Sequence, residues 1–497
     1  MAYLSLYKLF KMQVRTGPGA NIKKGTAPTM NKPEPQARAQ PMTNKPSSNP
    51  SQESRELFLK KLAFCKQTLD FNDEGKNQVE KQERLKNLNE LSEMLGNQNL
   101  VNNLVIPNLE QVMDMIQKNI FRPLPVVKKQ GAAGEMGMDD DEVIFDPSWP
   151  HLQPVYEFFL QLIVNDSAEI KCLKTFITHK FIQEFLELFD SEEPKEREYL
   201  KNILHRLYAK LVPRRKMIRK AITDTFYTLI HENYKFNGAP ELLDILASII
   251  SGFAVPLREE HIYFFKTVII PLHKVQTCQK FHSELLRCSM LFVSKDPLLA
   301  FPLVEGLLKY WPFANYGKET KFLQELLEVL DVCDSPKLEP YIDRLFRRLI
   351  KSIASPHLQV SDTAMCFFEN DFFLSILKQY KSKTFPILVP VIVHLADTHW
   401  HKLLQDSLTA LRNILKDIDS AQFEKAAQNK EAKFLYLVSE NEQLKKKRET
   451  MEGRWDALLK QAKKLNPDMV TPVPPYQSSH IVGEHNGLDN GNAVIVE

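Results

Sequence analysis

Lys201-Asn-Ile-Leu-His-Arg-Leu-Tyr-Ala-Lys-Leu-Val212 is followed, after Pro213, by Lys216-Met-Ile-Arg-Lys-Ala-Ile-Thr-Asp-Thr-Phe-Tyr-Thr-Leu-Ile230 and then by Glu241-Leu-Leu-Asp-Ile-Leu-Ala-Ser-Ile-Ile250. In each segment apolar residues return at three- and four-residue spacing, the period of a helix with one buried face. Proline or Asn-Gly separates such segments, and neither continues a helix readily. The same pattern covers Tyr156–Val164, Phe181–Phe189 and Leu257–Ile270, and no convincing alternating strand appears. Helices joined by two to six residues must pack on their sequence neighbours, and pairs repeating every 35–50 residues or so stack into a solenoid.

Repetition has a direct, modest mark. Pro-His-Leu-Gln occurs at 150–153 and again at 356–359, each copy ahead of an aromatic pair, Phe158-Phe159 and Phe367-Phe368. The offset of 206 residues is five periods of about 41, in the range of HEAT and armadillo repeats. The expected fold is all-α: a superhelical solenoid of HEAT-like helix pairs over 55–430, with eight or nine pairs. Composition agrees. Glycine contributes only 16 of 497 residues, too few for a sheet-rich or Rossmann-type chain of this size, and 43% hydrophobic residues can fill a core. No run of 18 apolar residues occurs, so no spanning helix is expected.

The ends differ from the body. Residues 1–54 hold seven prolines and a net charge of +6, and read as a disordered basic N-terminal arm. Met1 to Arg15 fits a short amphipathic surface or transit helix, but the lack of a signal-length apolar core favours a disordered tail. Residues 466–497, with a net charge of −4, read as a disordered acidic tail, which leaves about +1 for the body and no global case for nucleic-acid binding. Lys128 to Asp146, with three glycines and Asp139-Asp-Asp-Glu142, reads as a long exposed loop. Leu437, Leu444, Met451, Leu458 and Leu465 recur every seven residues, giving a long amphipathic helix over 431–465. Asn441, Arg448, Trp455 and Ala462 fill the other seam, so a terminal helix lying along the solenoid is preferred to a dimeric coiled coil. The six cysteines form no CxxC or zinc-like cluster and read as buried reduced thiols in a cytoplasmic or nuclear protein.

Catalytic motifs are missing: there is no Walker loop, GxGxxG, HExxH or metallophosphatase set. His399 and His401 flank Trp400 with no supporting carboxylate set, and read as a surface cap with an aromatic anchor. No enzyme activity, metal or cofactor is expected. One constellation stands out. Lys210, Arg214, Arg215, Lys216, Arg219 and Lys220 place six bases within eleven residues, just after His205, Arg206 and Tyr208. His205 to Ile245 is 40 residues, Tyr208 to Ile249 is 41, Arg215 to Arg258 is 43 and Arg219 to His261 is 42. Each pair is one repeat apart, which would set an apolar floor and a basic rim on adjoining helices, suited to an extended peptide carrying acids. The competing reading is that Ile245 and Ile249 are ordinary core and the bases a solvated face.

These residues resemble the B-prime (B56) regulatory subunit family of protein phosphatase 2A. The likeness is carried by Trp149-Pro-His-Leu-Gln153, Val155-Tyr-Glu-Phe-Phe159, Leu186-Glu-Leu-Phe-Asp-Ser191, Leu204-His-Arg-Leu-Tyr208, Ile249-Ile-Ser-Gly-Phe-Ala254 and Pro256-Leu-Arg-Glu-Glu-His261. It continues in Ile270-Pro-Leu-His-Lys274, Leu308-Lys-Tyr-Trp-Pro312, Ser355-Pro-His-Leu-Gln-Val360 and Thr398-His-Trp400, and covers roughly 55–467. The resemblance implies a non-catalytic subunit of a heterotrimer. It would dock on a scaffold subunit and a catalytic subunit, and select substrates through LxxIxE-type linear motifs. Carried over by position, it implies His205, Arg206, Tyr208, Arg215, Asp244, Ile245, Ile249, Arg258 and His261 as the peptide groove, Asp244 being added by the resemblance alone. Arg258 stands where a lysine is usual, Asn202 where a threonine is usual, and Phe368 where tryptophan is common.

Two further expectations follow. The loop Asp190 to Glu198, five of nine residues acidic, is either a solvated connection or an edge contact with scaffold or catalytic subunit through Asp190, Glu192, Glu193 and Glu196. The rival class is an armadillo- or HEAT-type scaffold or nuclear-transport adaptor, supported by the repeat and by Lys445-Lys-Lys-Arg448; against it, an importin-like Trp/Asn ladder is not supplied by four tryptophans.

Overall fold

The computed structural model describes residues 52–124 and 146–429, apart from 68, 70, 72–74, 167–169, 233–234 and 334, together with 432–434, 436, 453–456, 458–461 and 463–464. The expected N-terminal arm (save 52–54), the acidic tail and nearly all of the 128–146 loop lie outside the described residues, as does most of the expected helix at 431–465. The described parts of that last stretch, 453–456, 458–461 and 463–464, are helical. No strand occurs among the described residues, and none of their helices is long and apolar enough to cross a membrane.

After a leading helix α1 (Gln52–Cys65), the chain folds into eight helix pairs among the described residues. They are α2 (Gln78–Leu95) with α3 (Leu109–Ile120), α4 (Trp149–Val164) with α5 (His179–Glu187), and α6 (Pro194–Lys210) with α7 (Arg215–His231). Next come α8 (Ala239–Ser251) with α9 (Glu259–Phe264, prolonged by a wide turn and Ile270–Leu272), and α10 (His282–Lys295) with α11 (Ala300–Lys309). The last are α12 (Tyr316–Leu330) with α13 (Ile342–Ile353), α14 (Leu358–Met365) with α15 (Lys381–Thr398), and α16 (Lys402–Ile418) with α17 (Ser420–Ala427). The first helices of the pairs pack on one another in order, α2 to α4 to α6 and on to α16. From α5 onward the second helices form a parallel layer in the same way. This all-α solenoid is the expected one. Between its layers lies one continuous apolar core that includes Tyr156, Phe159, Phe185, Phe226, Phe292 and Phe346.

The two Pro-His-Leu-Gln copies sit at the starts of α4 and α14, five steps apart in the first layer, as the five-period echo requires. Helix ends use the expected chemistry. Thr178 accepts a hydrogen bond from the Phe181 amide, Asn315 from Lys318 and Asn370 from Phe372 and Phe373, each satisfying an N-terminal donor. Gly306 lets α11 approach the Ile270 side chain closer than any Cβ would permit. The thiols of Cys278, Cys288 and Cys333 are buried, and burial pushes each up to about 12.

One buried carboxylate ties the first three pairs together. Glu196, on the first turn of α6, is fully buried. Arg122 donates to it twice, at 2.7 and 3.1 Å, Tyr156 donates its hydroxyl at 2.6 Å, and Ser191 donates as well. Arg122 also pairs with Asp146 at 2.8 Å. Glu196→Ala leaves the Arg122 guanidinium short of a partner in a buried site and is expected to cost about 3–5 kcal/mol. Glu192→Ala, at a half-exposed position, should stay within ~1 kcal/mol. Denaturant titration of the two variants checks the contrast.

Candidate functional site

Helices α6 and α8 adjoin in the first layer, and α7 and α9 lie behind them. The α6–α8 register is read from side-chain pairs. Arg197 Nε meets Glu241 at 2.9 Å, Lys201 meets Asp244 at 3.3 Å, and His205 Nε2 meets Ser248 Oγ at 3.0 Å. Asp244 also accepts from Arg287 of α10 at 2.7 Å. The offset is therefore 43–44 residues, not the 40–41 expected from His205/Ile245 and Tyr208/Ile249. Three residues turn a helix by roughly 300°, so this difference changes which face is presented. Ser248 takes the place expected for Ile245, and Ile245, only 2% exposed, belongs to the core. The expectation that Ile245 forms exposed groove floor is corrected accordingly.

The remaining expected residues divide between a rim and a pocket. His205 and Arg206 are exposed on α6. Tyr208 is half-buried, and its hydroxyl accepts from Arg219 Nη1 at 3.0 Å. Arg215 lies over the Tyr208 ring, 5.2 Å from its centroid, and donates to the Tyr208 and Ala209 carbonyls at 3.0 and 3.1 Å. Arg219 then reaches a cavity of about 200 Å³ that Tyr227, Ile249, Phe253, His261 and Phe264 also line. Ile249 is 7% exposed and forms part of the wall. Arg258, largely exposed, stands 3.6 Å from Glu260. The structure thus joins Tyr208, Arg219, Ile249 and His261 in one locus, with Arg206 and Arg258 toward solvent.

Phe253, though part of the quoted stretch 249–254, carries no signal in the helical periodicity. It sits on the turn after α8, outside any helical period, and its ring stacks on His261 at 3.7 Å with the planes 1° apart. The base cluster is also less free than its composition suggests. Lys210 donates to the Ile163 and Asn165 carbonyls at 2.8 and 2.7 Å, and Arg214 to the Lys174 carbonyl at 3.2 Å. Lys216 and Lys220 are the exposed members.

The acidic loop is corrected in part. Glu193 is 2% exposed and caps α6, accepting from the Lys195 amide at 3.3 Å, while Glu196 is the buried carboxylate described above. Neither can face a partner without unfolding the start of α6. Glu192 remains half-exposed, 4.0 Å from Lys235. Asp190 accepts from the Asn237 amide at 3.0 Å and lines a second cavity of about 870 Å³ between Leu124, α5 and α7. That larger cavity is separate from Tyr208 and Arg206.

A stack of helix pairs that presents a small apolar pocket beneath a basic rim is a binding scaffold. Comparison with known proteins gives the particular family. The model of the family described as "Protein phosphatase 2A regulatory B subunit (B56 family)" matches residues 43–462. A relative from Arabidopsis thaliana, the B' eta isoform of the 59 kDa regulatory subunit of serine/threonine protein phosphatase 2A, is 37% identical over 410 residues, covering 82% of this chain and 79% of that one. The 57 kDa B' beta isoform from the same plant is 38% identical over 385 residues, 77% of each chain. The human 56 kDa regulatory delta isoform is 34% identical over 440 residues, 86% of this chain and 71% of that one. The chain belongs to the B56 family of protein phosphatase 2A regulatory subunits, and its role is regulatory rather than catalytic.

The His261 ring gives a pH test of the pocket. Burial lowers its pKa below the ordinary 6.5, with Glu260 opposing and Arg219 and Arg258 adding to the depression. The unfolded chain therefore takes up this proton at a higher pH than the folded one. Stability from this group is complete above about 6.5 and falls as the pH drops below it. His261→Phe keeps the ring stack without the titration, so its stability difference between about pH 7.5 and about pH 5.5 should be smaller than wild type's. Denaturation midpoints at the two pH values check this.

Proposed function

We propose that this regulatory subunit delivers a phosphatase 2A catalytic subunit to its substrates by binding LxxIxE-type linear motifs at the α6–α8 locus. The observation that carries the reading is an apolar pocket lined by Arg219, Ile249 and His261, to which Tyr208 is tied by its hydrogen bond from Arg219, with Arg206 exposed on the helix that carries Tyr208. The pocket takes a branched apolar anchor. Arg206, Arg258, Lys216 and Lys220 suit the motif glutamate and acidic or phosphorylated flanks. Ile245 belongs to the core of α8, and Asp244, held between Lys201 and Arg287, fixes the neighbouring helix faces.

A scaffold subunit and a catalytic subunit complete the proposed heterotrimer, in the cytoplasm, the nucleus or both. Within the 190–198 segment, the contact proposed for them is reduced to Glu192 and Asp190. Glu192→Lys is expected to lower recovery of both subunits on affinity purification and to leave peptide affinity unchanged.

Calorimetry with an LxxIxE peptide tests the groove. Arg206→Ala should weaken binding by about 1.5–3 kcal/mol, the scale of a lost charge-assisted hydrogen bond. Ile249→Ala should cost about 2 kcal/mol or more by opening the pocket wall. Affinity for acidic peptides should fall with added salt. If both variants stay folded and bind as wild type does, the peptide site lies elsewhere.

A further inference from the structure

Away from the groove, three chemistry-bearing side chains converge where the fourth, fifth and sixth pairs meet. His273 follows the last turn of α9, His282 opens α10, and Glu325 lies on α12; all three are buried, Glu325 and His273 completely. One ligand atom from each lies within 4.8 Å of the others. His273 Nε2 is 3.1 Å from both Glu325 oxygens, and His282 Nε2 is 2.8 Å from Oε2. We propose that His273, His282 and Glu325 form a binding site for a divalent cation of the zinc class that bridges these three helix pairs.

Three features support a cation over a plain hydrogen-bonded cluster. The first is the tautomer. His273 Nδ1 lies 3.0 Å from the Ile270 carbonyl, which accepts the Nδ1 proton. In the neutral ring, the Nε2 lone pair then faces the carboxylate, an approach that needs a positive charge, either a second proton on the ring or a cation held by both groups. Donation of Nδ1–H to a backbone carbonyl is also a common way of orienting a histidine that ligates a metal through Nε2.

The second is His282. Its Nε2 is buried and close to Glu325, yet it has no hydrogen-bond partner of acceptable geometry. A lone pair aimed past the oxygen needs no N–H alignment if both atoms point at a shared ion. The third is the ligand set. Two imidazoles and one carboxylate suit zinc, with one tetrahedral position left for a fourth group. Phe322 closes the site on one side, its ring centroid 5.7 Å from His273 and 6.1 Å from His282.

The ligands are separated by 9 and 43 residues, so no short motif marks them. Because the site is closed, uptake belongs to folding or local opening, and the ion would act as a cross-link between pairs.

The test is elemental analysis of the full chain, purified from zinc-supplemented medium and also refolded with zinc and then dialysed. About one equivalent of zinc per chain is expected. Cobalt substitution should give tetrahedral-type visible absorption, and prolonged chelation should lower the melting temperature. His282→Gln and Glu325→Gln should each reduce metal content at least about tenfold, and His401→Gln should leave it unchanged. Absence of stoichiometric metal from wild type in both preparations overturns the proposal whether or not the variants fold. So does retention of metal in folded His282→Gln.

Discussion

The buried Glu196 carboxylate fixes the helix on which the groove is built. It lies at the start of α6, and its donors come from the segment after α3, from α4 and from the connection before α6 itself. His205, Arg206 and Tyr208 stand nine to twelve residues further along the same helix, roughly 14–18 Å away. The far end is held too, since Lys210 donates to two carbonyls at the end of α4. A helix gripped at both ends presents its exposed side chains in one orientation, which lowers the ordering cost of binding a ligand there.

The Lys210 contact is one instance of a repeated device. Lys295, the last residue of α10, donates to the Ser251 and Phe253 carbonyls at the end of α8, at 3.0 and 2.8 Å. In both cases a lysine at one helix end satisfies the orphan carbonyls of the preceding first-layer helix, where the helix dipole also favours positive charge. The second case bears on the groove, because Phe253 is the residue that stacks on His261. Part of the chain's basic content therefore builds the repeat, and only the remainder is available to a partner.

The sequence conveyed the helices, their pairing and the five-step distance between the two Pro-His-Leu-Gln copies, because apolar periodicity and breakers are local signals. Burial depth was not local. Ile245 and Ile249 share a face by spacing, but the true 43–44-residue register puts Ser248 opposite His205 and leaves Ile245 inside. The acidic run at 190–198 looked solvated by composition, since a buried carboxylate is recognised only by its donors, and Arg122 and Tyr156 lie 74 and 40 residues upstream. The stack of Phe253 was not legible either, because this residue follows the helix and its partner His261 is reached around the Pro256 connection.

The groove sits where two kinds of junction meet. Behind α6, polar contact with the earlier pairs runs through a buried carboxylate whose loss is costly. Ahead of it, the polar contacts with α8, above the shared apolar core, are Arg197–Glu241, Lys201–Asp244 and His205–Ser248, all at least partly exposed. Pairs of that kind are individually worth about 0–1 kcal/mol and weaken with salt. Tyr208 and Arg219 belong to the third helix pair, Ile249 and His261 to the fourth, so the site spans this junction. A ligand anchored on both sides adds contacts across it. Binding and the packing of these two pairs are then linked, and whatever tightens the junction favours the bound form.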